Sequence, residues 1–165
     1  MKSVRKDSSN QIEIKNKKVF HDFSIGEKFE AGIVLVGAEV KSIRSGHCQI
    51  HGSFARPNRH GELFLYNANI AEYKFSSPDE QNCTRPRKLL LHAKELRKIA
   101  ETFERTKCAI LPLRVFFKNG IAKVDIALCK WKKSYDKRES IKKAEAGREA
   151  ASAMSSAKRG KMQLL

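Results

Sequence analysis

The amino-acid sequence predicts a β-rich α+β fold of short antiparallel strands with surface helices. Three features predict it: several short runs of alternating apolar and polar residues, an Asn119-Gly120 pair between two β-rich runs, and one amphipathic pattern of helical period. Alternation is typical of strands with one buried face, and Asn-Gly is the strongest local hairpin signal. For 165 residues we expect one folded body with a real core.

The first clear strand signal lies over residues 29–35, where apolar and polar side chains alternate. This strand is expected to end at Gly37. Val40 and Ile43 lie three residues apart, which predicts a short helix that Gly46 ends.

Further short strands are predicted in the next part of the chain. Strands over residues 49–55 and 62–66 are separated by a turn at residues 57–61, which contains proline and glycine. Another strand is expected over residues 69–75, followed by a polar loop at residues 76–84 that has little to bury.

The clearest helix is predicted over residues 92–104. Leu96, Ile99, Ala100 and Phe103 recur at positions i, i+3, i+4 and i+7, and basic residues occupy the opposite face. This pattern predicts an amphipathic helix.

A hairpin is the strongest local prediction in the body. Residues 109–118 and 121–128 flank Asn119-Gly120, which favours a type I′ turn because both turn residues must adopt positive φ. Pro112 lacks a backbone donor and therefore predicts an edge or a bulge in the first strand. In the second strand, four apolar residues are expected to face one side and two charged residues the other: Ala122, Val124, Ile126 and Leu128 against Lys123 and Asp125.

Several short antiparallel strands with one or two helices suggest a small closed barrel. An OB-like barrel is one such fold and commonly binds nucleic acid. Composition alone does not select it over another α+β sheet.

Positive charge is concentrated at the two ends of the chain. The formal net charge is +16, of which residues 1–18 carry +4 and residues 130–165 carry +7. We therefore expect a disordered basic arm over residues 1–15, an OB-like body over 16–131 with structure beginning near Phe20, and a basic tail over 132–165 that becomes helical on a partner. This distribution favours a polyanion as partner, because neutralised phosphates release counterions.

Several classes of protein are not indicated. No run of 18 apolar residues exists that would span a bilayer, and the start of the chain does not predict a secretory signal. Four cysteines are scattered without a CxxC pair, which argues against a structural zinc site and predicts reduced thiols in the cytoplasm: Cys48, Cys83, Cys108 and Cys129.

Catalytic chemistry is weakly represented, and we expect no catalytic residue, no metal and no cofactor. The acids that a two-metal nuclease would use are thinly spread: Asp22, Glu27, Glu30, Glu39 and Glu62. His21 beside Asp22 resembles a base with its orienting group, but neighbours on a strand point to opposite faces. No GxxxxGK[ST] phosphate loop is present.

Two clusters are better candidates for RNA binding. Arg85-Pro86-Arg87-Lys88 directly precedes three leucines, which would anchor the segment while the cations reach phosphates. Lys15, Lys17 and Lys18 surround Asn16, whose amide suits a 2′-hydroxyl or a base edge, or else a turn.

Aromatic side chains on the predicted strands have two interpretations. They would stack on bases if they faced outward, but on short strands of a small barrel we expect them in the core: Phe54, Phe64, Tyr66 and Tyr73. Trp131 lies among lysines, where stacking on RNA and packing on the rim of the body are both open.

Several of these segments together resemble the small protein B family, the SsrA-binding proteins that partner tmRNA in bacterial trans-translation. The similarity covers about residues 12–140, and the Glu-Val-Lys-Ser and Arg-Lys-Leu-Leu-Leu runs are its most specific parts. The segments that carry it are 16–18, 21–23, 29–35, 37–46, 61–62, Ile70, Tyr73, 85–92 and 135–139.

The resemblance implies an OB-like barrel that binds the tRNA-like domain of tmRNA and, with it, replaces a tRNA in a stalled ribosome. It implies that the tail enters the empty messenger channel and folds there as a helix. The implied tmRNA-binding residues are Asn16, Lys17, Lys18, His21, Glu30, Lys41, Arg44, Arg87, Lys88 and Leu90. The implied contacts with the ribosomal decoding centre are Lys132, Lys133, Tyr135, Asp136, Lys137 and Arg138. We expect a monomer that does not bind membranes.

Trp131 departs from the family pattern, because a glycine usually precedes the two lysines at this position. Glycine permits backbone conformations that tryptophan resists. Ala38 also stands where threonine is common.

Three other functions remain as alternatives to a tmRNA partner. They are a general OB-type RNA binder without preference for tmRNA, a metal-dependent nuclease, and a membrane-surface protein held by its basic tail, which lacks bulky apolar residues.

Overall fold

The computed structural model describes residues 12–73 and 82–133. These residues form mostly strands with three helices, in the order β1 (Glu13–Lys15), α1 (Lys17–Asp22), β2 (Phe23–Ile33), α2 (Gly37–Arg44), β3 (Cys48–Gln49), β4 (Phe54–Pro57), β5 (Leu63–Tyr66), β6 (Asn69–Ile70), β7 (Arg87–Leu90), α3 (Ala93–Thr106), β8 (Ala109–Lys118) and β9 (Ile121–Trp131).

The strand pairings of the main sheet return to their starting strand. All are antiparallel, and they run from β8 through β4, β5, β7, β2 and β9 back to β8. Strand β1 adds to β8, where Ile14 lies opposite Val115. Strands β3 and β6 form a separate two-stranded sheet.

The main core lies inside this ring of strands. Val124 and Ile126 of β9, which were predicted to face inward, are fully buried, whereas Lys123 and Asp125 are partly exposed. Ile99 of α3 is buried against the same core, with Leu96 and Phe103 packed beside it.

A second, smaller core forms where two strands change face. The β8–β9 register shifts between Pro112 and Arg114, which confirms the bulge predicted at Pro112. The shift lets Leu111 and Leu113 pack under Val19 of α1, away from the main core.

Strand β2 also bends, at a glycine that cannot be replaced without a clash. Its register with β9 shifts between Ile25 and Lys28. A Cβ at Gly26 would lie 2.8 Å from the carbonyl oxygen of Leu128, which is a backbone atom that cannot easily move. The close approach of the two backbones therefore depends on glycine at this position.

The hairpin and the long helix are confirmed. Asn119 and Gly120 have φ values of 51° and 79°, as a type I′ turn requires. Helix α3 begins after His92, whose backbone N–H donates to the Glu95 carboxylate at 3.0 Å. The predicted helix at Val40 and Ile43 is α2, and Gly46 follows it with a φ of 79°.

The expected onset of structure near Phe20 is wrong, as is the assignment of residues 13–15 to a disordered arm. Residues 13–15 form β1 and residues 17–22 form α1, because their apolar residues pack on β8 rather than on each other. Residues 1–11 lie outside the described residues.

The single strand predicted over residues 49–55 is also wrong. Strand β3 ends at Gln49, and a turn containing Gly52, with a φ of 77°, separates it from β4. The Ser53 hydroxyl donates to the carbonyl oxygen of Ile50 at 2.6 Å and closes this turn. The strand predicted over 69–75 reaches only Ile70, and residues 74–81 lie outside the described residues.

Candidate nucleic-acid interface

A buried carboxylate joins α2 to the start of β7. The Glu39 carboxylate accepts hydrogen bonds from the Nε atoms of Arg85 and Arg87, both at 2.9 Å, and from the backbone N–H of Val36 at 2.9 Å. The Arg87 guanidinium also donates to the carbonyl oxygens of Ala68 and Cys83, at 2.6 and 2.9 Å. These bonds fix the first residue of β7 against α2.

Burial alone would raise the pKa of Glu39, but hydrogen bonds from Arg85 and Val36 and the charge of Arg87 lower it below its ordinary value. The Arg87 side chain is 0% exposed. Arg87, expected to reach RNA, therefore does not present its guanidinium at the surface of this structure, because its donors are used inside the protein.

Asn16 is likewise a structural residue. Its side-chain amide donates to the carbonyl oxygens of Ile50 and Pro112, at 3.1 and 3.2 Å, and its backbone N–H donates to Leu113 at 2.8 Å. With only 3% of the residue exposed, Asn16 ties β1 and α1 to the β8 bulge. The structural alternative to the expected RNA contact is therefore the one that the geometry of Asn16 favours.

Three candidates lie together on α1. Lys17, Lys18 and His21 are exposed on this helix. His21 and Asp22 do pair, contrary to expectation, with 2.9 Å between Nδ1 and Oδ1. They lie on a helix rather than a strand, so the argument from alternating strand faces does not apply. We call Lys17, Lys18 and His21 the α1 surface.

The end of β9 meets the α1 surface. The backbone N–H of Lys132 donates to the carbonyl oxygen of Asp22 at 3.1 Å, and its Nζ donates to that of Phe20 at 3.1 Å. Lys132 and Lys133, two of the expected decoding-centre residues, therefore lie beside the α1 surface.

A second group of candidates lies at the other end of β9. Glu30 accepts hydrogen bonds from Lys118 Nζ at 3.1 and 3.2 Å, and Lys123 Nζ lies 3.6 Å from its carboxylate. Leu90 is 52% exposed and packs over Gly32, the residue that pairs with Lys123.

Helix α2 contributes a cation to this group. Arg44 donates to the carbonyl oxygen of Gly120 at 3.4 Å, and its guanidinium lies 5.3 Å from the centre of the Phe117 ring. We call the group formed by Glu30, Arg44, Leu90, Lys118 and Lys123 the hairpin surface.

Electrostatics shape the hairpin surface. The hydrogen bond from Lys118, with smaller contributions from Lys123, lowers the pKa of Glu30 below its ordinary value. Glu30 therefore stays negative and holds two lysines in place, while its free lone pairs suit a ribose hydroxyl.

Two further candidates flank this surface. Lys41 lies 5.2 Å from the centre of the Tyr73 ring. Lys88 forms an ion pair with Glu62, and its side chain remains 41% exposed. Both ammonium groups are accessible to phosphates.

The candidates therefore form two surfaces rather than one. Strand β9 has 11 residues, and at about 3.3 Å per residue it separates Ile121 from Trp131 by roughly 30 Å. The hairpin surface lies toward Ile121, and the α1 surface lies beside Trp131.

Comparison with known proteins decides the family. The family model described as SmpB protein matches residues 13–156, which include both surfaces. The chain belongs to the SmpB family.

Curated members of the SmpB family match most of the chain. The SsrA-binding protein of Geobacter sulfurreducens is 49% identical over 84% of this chain and 90% of its own length. That of Shouchella clausii is 46% identical over 93% of this chain and 97% of its own length. This chain is also similar to a solved structure, with a TM-score of 0.63 and 42% sequence identity. The match covers 74% of this chain and 86% of the other, which is described as "tmRNA-SmpB: a journey to the center of the bacterial ribosome".

The remaining expected decoding-centre residues of this SmpB family member lie outside the described residues: Tyr135, Asp136, Lys137 and Arg138. Trp131, which was expected to depart from the family pattern, ends β9 opposite Phe23 and does not have a positive φ. The backbone therefore accommodates tryptophan without strain.

The expectation that the strand aromatics lie in the core is wrong for Phe54, and Phe64, Tyr66 and Tyr73 are only partly buried. Phe54 is 39% exposed and stacks on Tyr66, with 5.5 Å between ring centres. Its neighbour Ala55 occupies the inward position. Sequence alternation placed a strand here but with the wrong bounds, so it could not give the face of Phe54.

The acidic residues considered for a nuclease do not converge. The glutamates form separate ion pairs: Glu27 with Lys98, Glu30 with Lys118 and Lys123, Glu39 with Arg85 and Arg87, and Glu62 with Lys88. Within residues 12–73 and 82–133, no group of three metal-ligating side chains could hold an ion, and no helix is long and apolar enough to cross a membrane. The four cysteines are free thiols.

Proposed function

We propose that this protein binds the tRNA-like domain of tmRNA and delivers it to stalled ribosomes in trans-translation. One observation carries the proposal: relatives named SsrA-binding protein match it over 90% and 97% of their own length. The similar solved chain comes from a study of tmRNA-SmpB in the bacterial ribosome, which supports both partners.

The body is best described as an OB-like barrel with helices on its surface. The six-strand ring of pairings supports this description, since closure removes exposed sheet edges. A rigid body of this kind presents cations at fixed positions, which suits recognition of a folded RNA by its shape.

The hairpin surface is the proposed contact with tmRNA. Arg44, Lys118 and Lys123 provide cations for phosphates, Glu30 accepts from a ribose hydroxyl, and Leu90 offers an apolar contact. Lys41 and Lys88 extend the contact on either side. Fixed partners hold these side chains, so little conformational entropy is lost on binding.

The family resemblance implied that the α1 surface, like the hairpin surface, binds tmRNA. Because the α1 surface adjoins the start of the tail, we propose that it also works with the tail on the ribosome. Lys17, Lys18 and His21 lie where the chain leaves β9, beside Lys132 and Lys133. The tail, with Tyr135, Asp136, Lys137 and Arg138, would enter the empty messenger channel, while the hairpin surface, which lies toward the other end of β9, holds tmRNA.

The protein acts in this proposal as a cytoplasmic, monomeric binding factor without catalysis, metal or cofactor. The separate pairing of Glu27, Glu30, Glu39 and Glu62 with cations supports the lack of a metal-dependent nuclease site.

Truncation tests the division between body and tail. Deletion of residues 134–165 should leave binding of the tRNA-like domain nearly unchanged and abolish tagging of nascent chains on stalled ribosomes. Deletion of residues 1–11, which also carry net positive charge, is the control and should preserve tagging. Tagging that survives the tail deletion would contradict the proposed role of the tail.

A further inference from the structure

An apolar groove lies between α1, the turn before β4 and the end of β9. Its volume is about 350 Å³. Val19 and Leu111 form its floor, and the rings of Phe23, Phe54 and Trp131 line its sides.

Each exposed ring of the groove is held by a second ring. Trp131 is 67% exposed and contacts Phe23 edge to face, with 4.8 Å between ring centres. Phe54 stacks on Tyr66 at an interplanar angle of 20°. Because these contacts already orient the rings, a ligand stacking on them would pay little to order them.

The polar groups of the groove do not offer a pattern for reading base edges. The Asn16 amide and the Ser53 hydroxyl donate to backbone carbonyls within the body. Recognition in the groove would therefore rest on ring faces, which tolerate any base.

Charge at the rim favours an anion. Lys18 and His51 line the groove and are exposed. The acidic side chain in the lining, Asp22, is buried and paired with His21. Aromatic sides with the Lys18 ammonium and the His51 ring at the rim fit a base with its attached phosphate.

We propose that this groove binds an unpaired RNA nucleotide, with its base stacked on Trp131 or Phe54 and its phosphate near Lys18 and His51. The proposal rests on the proposed function, because it assigns part of an RNA partner to a further site.

Trp131 is the only tryptophan of the chain and therefore reports directly on the groove. The full-length protein would be titrated with an RNA pentamer of adenosines and with a pentamer of abasic ribose phosphates. We expect saturable quenching of Trp131 fluorescence by the first and little by the second. Equal quenching by both would overturn the proposal, because it would show that charge alone is recognised.

Substitutions test stacking without changing charge. Trp131→Leu and Phe54→Leu should each weaken pentamer binding about ten-fold, measured by fluorescence anisotropy of labelled RNA, whereas Trp131→Phe should weaken it much less. Phe116→Leu, which removes a partly exposed ring from β8, is the matched control and should have no effect. Unchanged affinity in Trp131→Leu and Phe54→Leu proteins with wild-type melting temperatures would overturn the proposal.

Full-length RNAs separate this proposal from the proposed function. Quenching by the tRNA-like domain or by the small ribosomal subunit supports the site and identifies the source of the nucleotide. Tight, tmRNA-selective binding without quenching by either RNA would overturn the groove while leaving the proposed function intact. In the free protein, Trp131 could already emit like a buried indole, with no change when RNA is added. That result would show that the chain itself fills the groove and would also overturn the proposal.

Discussion

Glu39 shows how one side chain controls the placement of others. It neutralises the buried Arg87 guanidinium and binds Arg85 at the surface, so it connects α2 to β7. Breaking a buried ion pair leaves the remaining charge uncompensated, which is strongly destabilising. Glu39 is therefore a positioning residue for Lys88 and Leu90, which follow Arg87 on β7.

We expect Glu39→Gln to lower the free energy of unfolding by about 3–5 kcal/mol, measured by urea denaturation, because Arg87 loses its charged partner. Glu62→Gln is the matched control. It removes an exposed carboxylate from its ion pair with Lys88 and should have a much smaller effect.

The lowered pKa of Glu39 predicts how the difference in unfolding free energy between wild type and Glu39→Gln depends on pH. A carboxyl whose folded-state pKa is lowered contributes stability above its unfolded-state pKa, and that contribution is lost as pH falls through the folded-state pKa. The stability advantage of wild type over Glu39→Gln should therefore shrink below about pH 4. A constant difference down to pH 2 would contradict the proposed charge pairing.

At the scale of the element, the residues of β7 alternate between two roles. One face of the strand packs in the body and the other is available for binding RNA. Arg87 and Leu89 are buried, whereas Lys88 and Leu90 face outward. In the sequence, the Arg-Pro-Arg-Lys run looks like a continuous basic patch. The burial of Arg87 is not visible there, because its partner Glu39 lies 48 residues earlier in the chain.

Substitutions on β7 should separate the two roles. We expect Lys88→Ala to weaken binding of the tRNA-like domain and to reduce the slope of log K against log salt by about one unit, without loss of stability. Lys98→Ala on α3 breaks a comparable exposed ion pair, with Glu27 of β2, and should change neither the binding nor the salt slope. Arg87→Ala should lower stability instead. A full-length Lys88→Ala protein with the wild-type slope would exclude this contact.

Local patterns predicted the elements that have a complete local signal. The Asn119-Gly120 turn, the apolar stripe of α3 and the Pro112 bulge are each specified by neighbouring residues. Several elements of two to six residues were missed or misplaced, as at β1, α1 and β3, because contacts with distant strands stabilise them. For the same reason, the sequence could not reveal that Asn16 and Arg87 are buried.

At the scale of the whole molecule, the body holds two cationic surfaces at opposite ends of β9. The hairpin surface surrounds a fixed carboxylate, and the α1 surface adjoins the point where the basic tail begins. This arrangement suits a factor that holds one RNA while it contacts another. The positive charge at the chain ends, which is visible in the sequence, therefore adds to the positive charge of the body.

The most direct test of this account is a salt-titrated binding measurement with the tRNA-like domain of tmRNA, in competition with bulk tRNA. The account predicts tight binding that survives an excess of tRNA, because the side chains of the hairpin surface are held in fixed positions that suit one folded RNA. Binding that tRNA abolishes would contradict it and would leave a basic RNA-binding protein without preference for tmRNA.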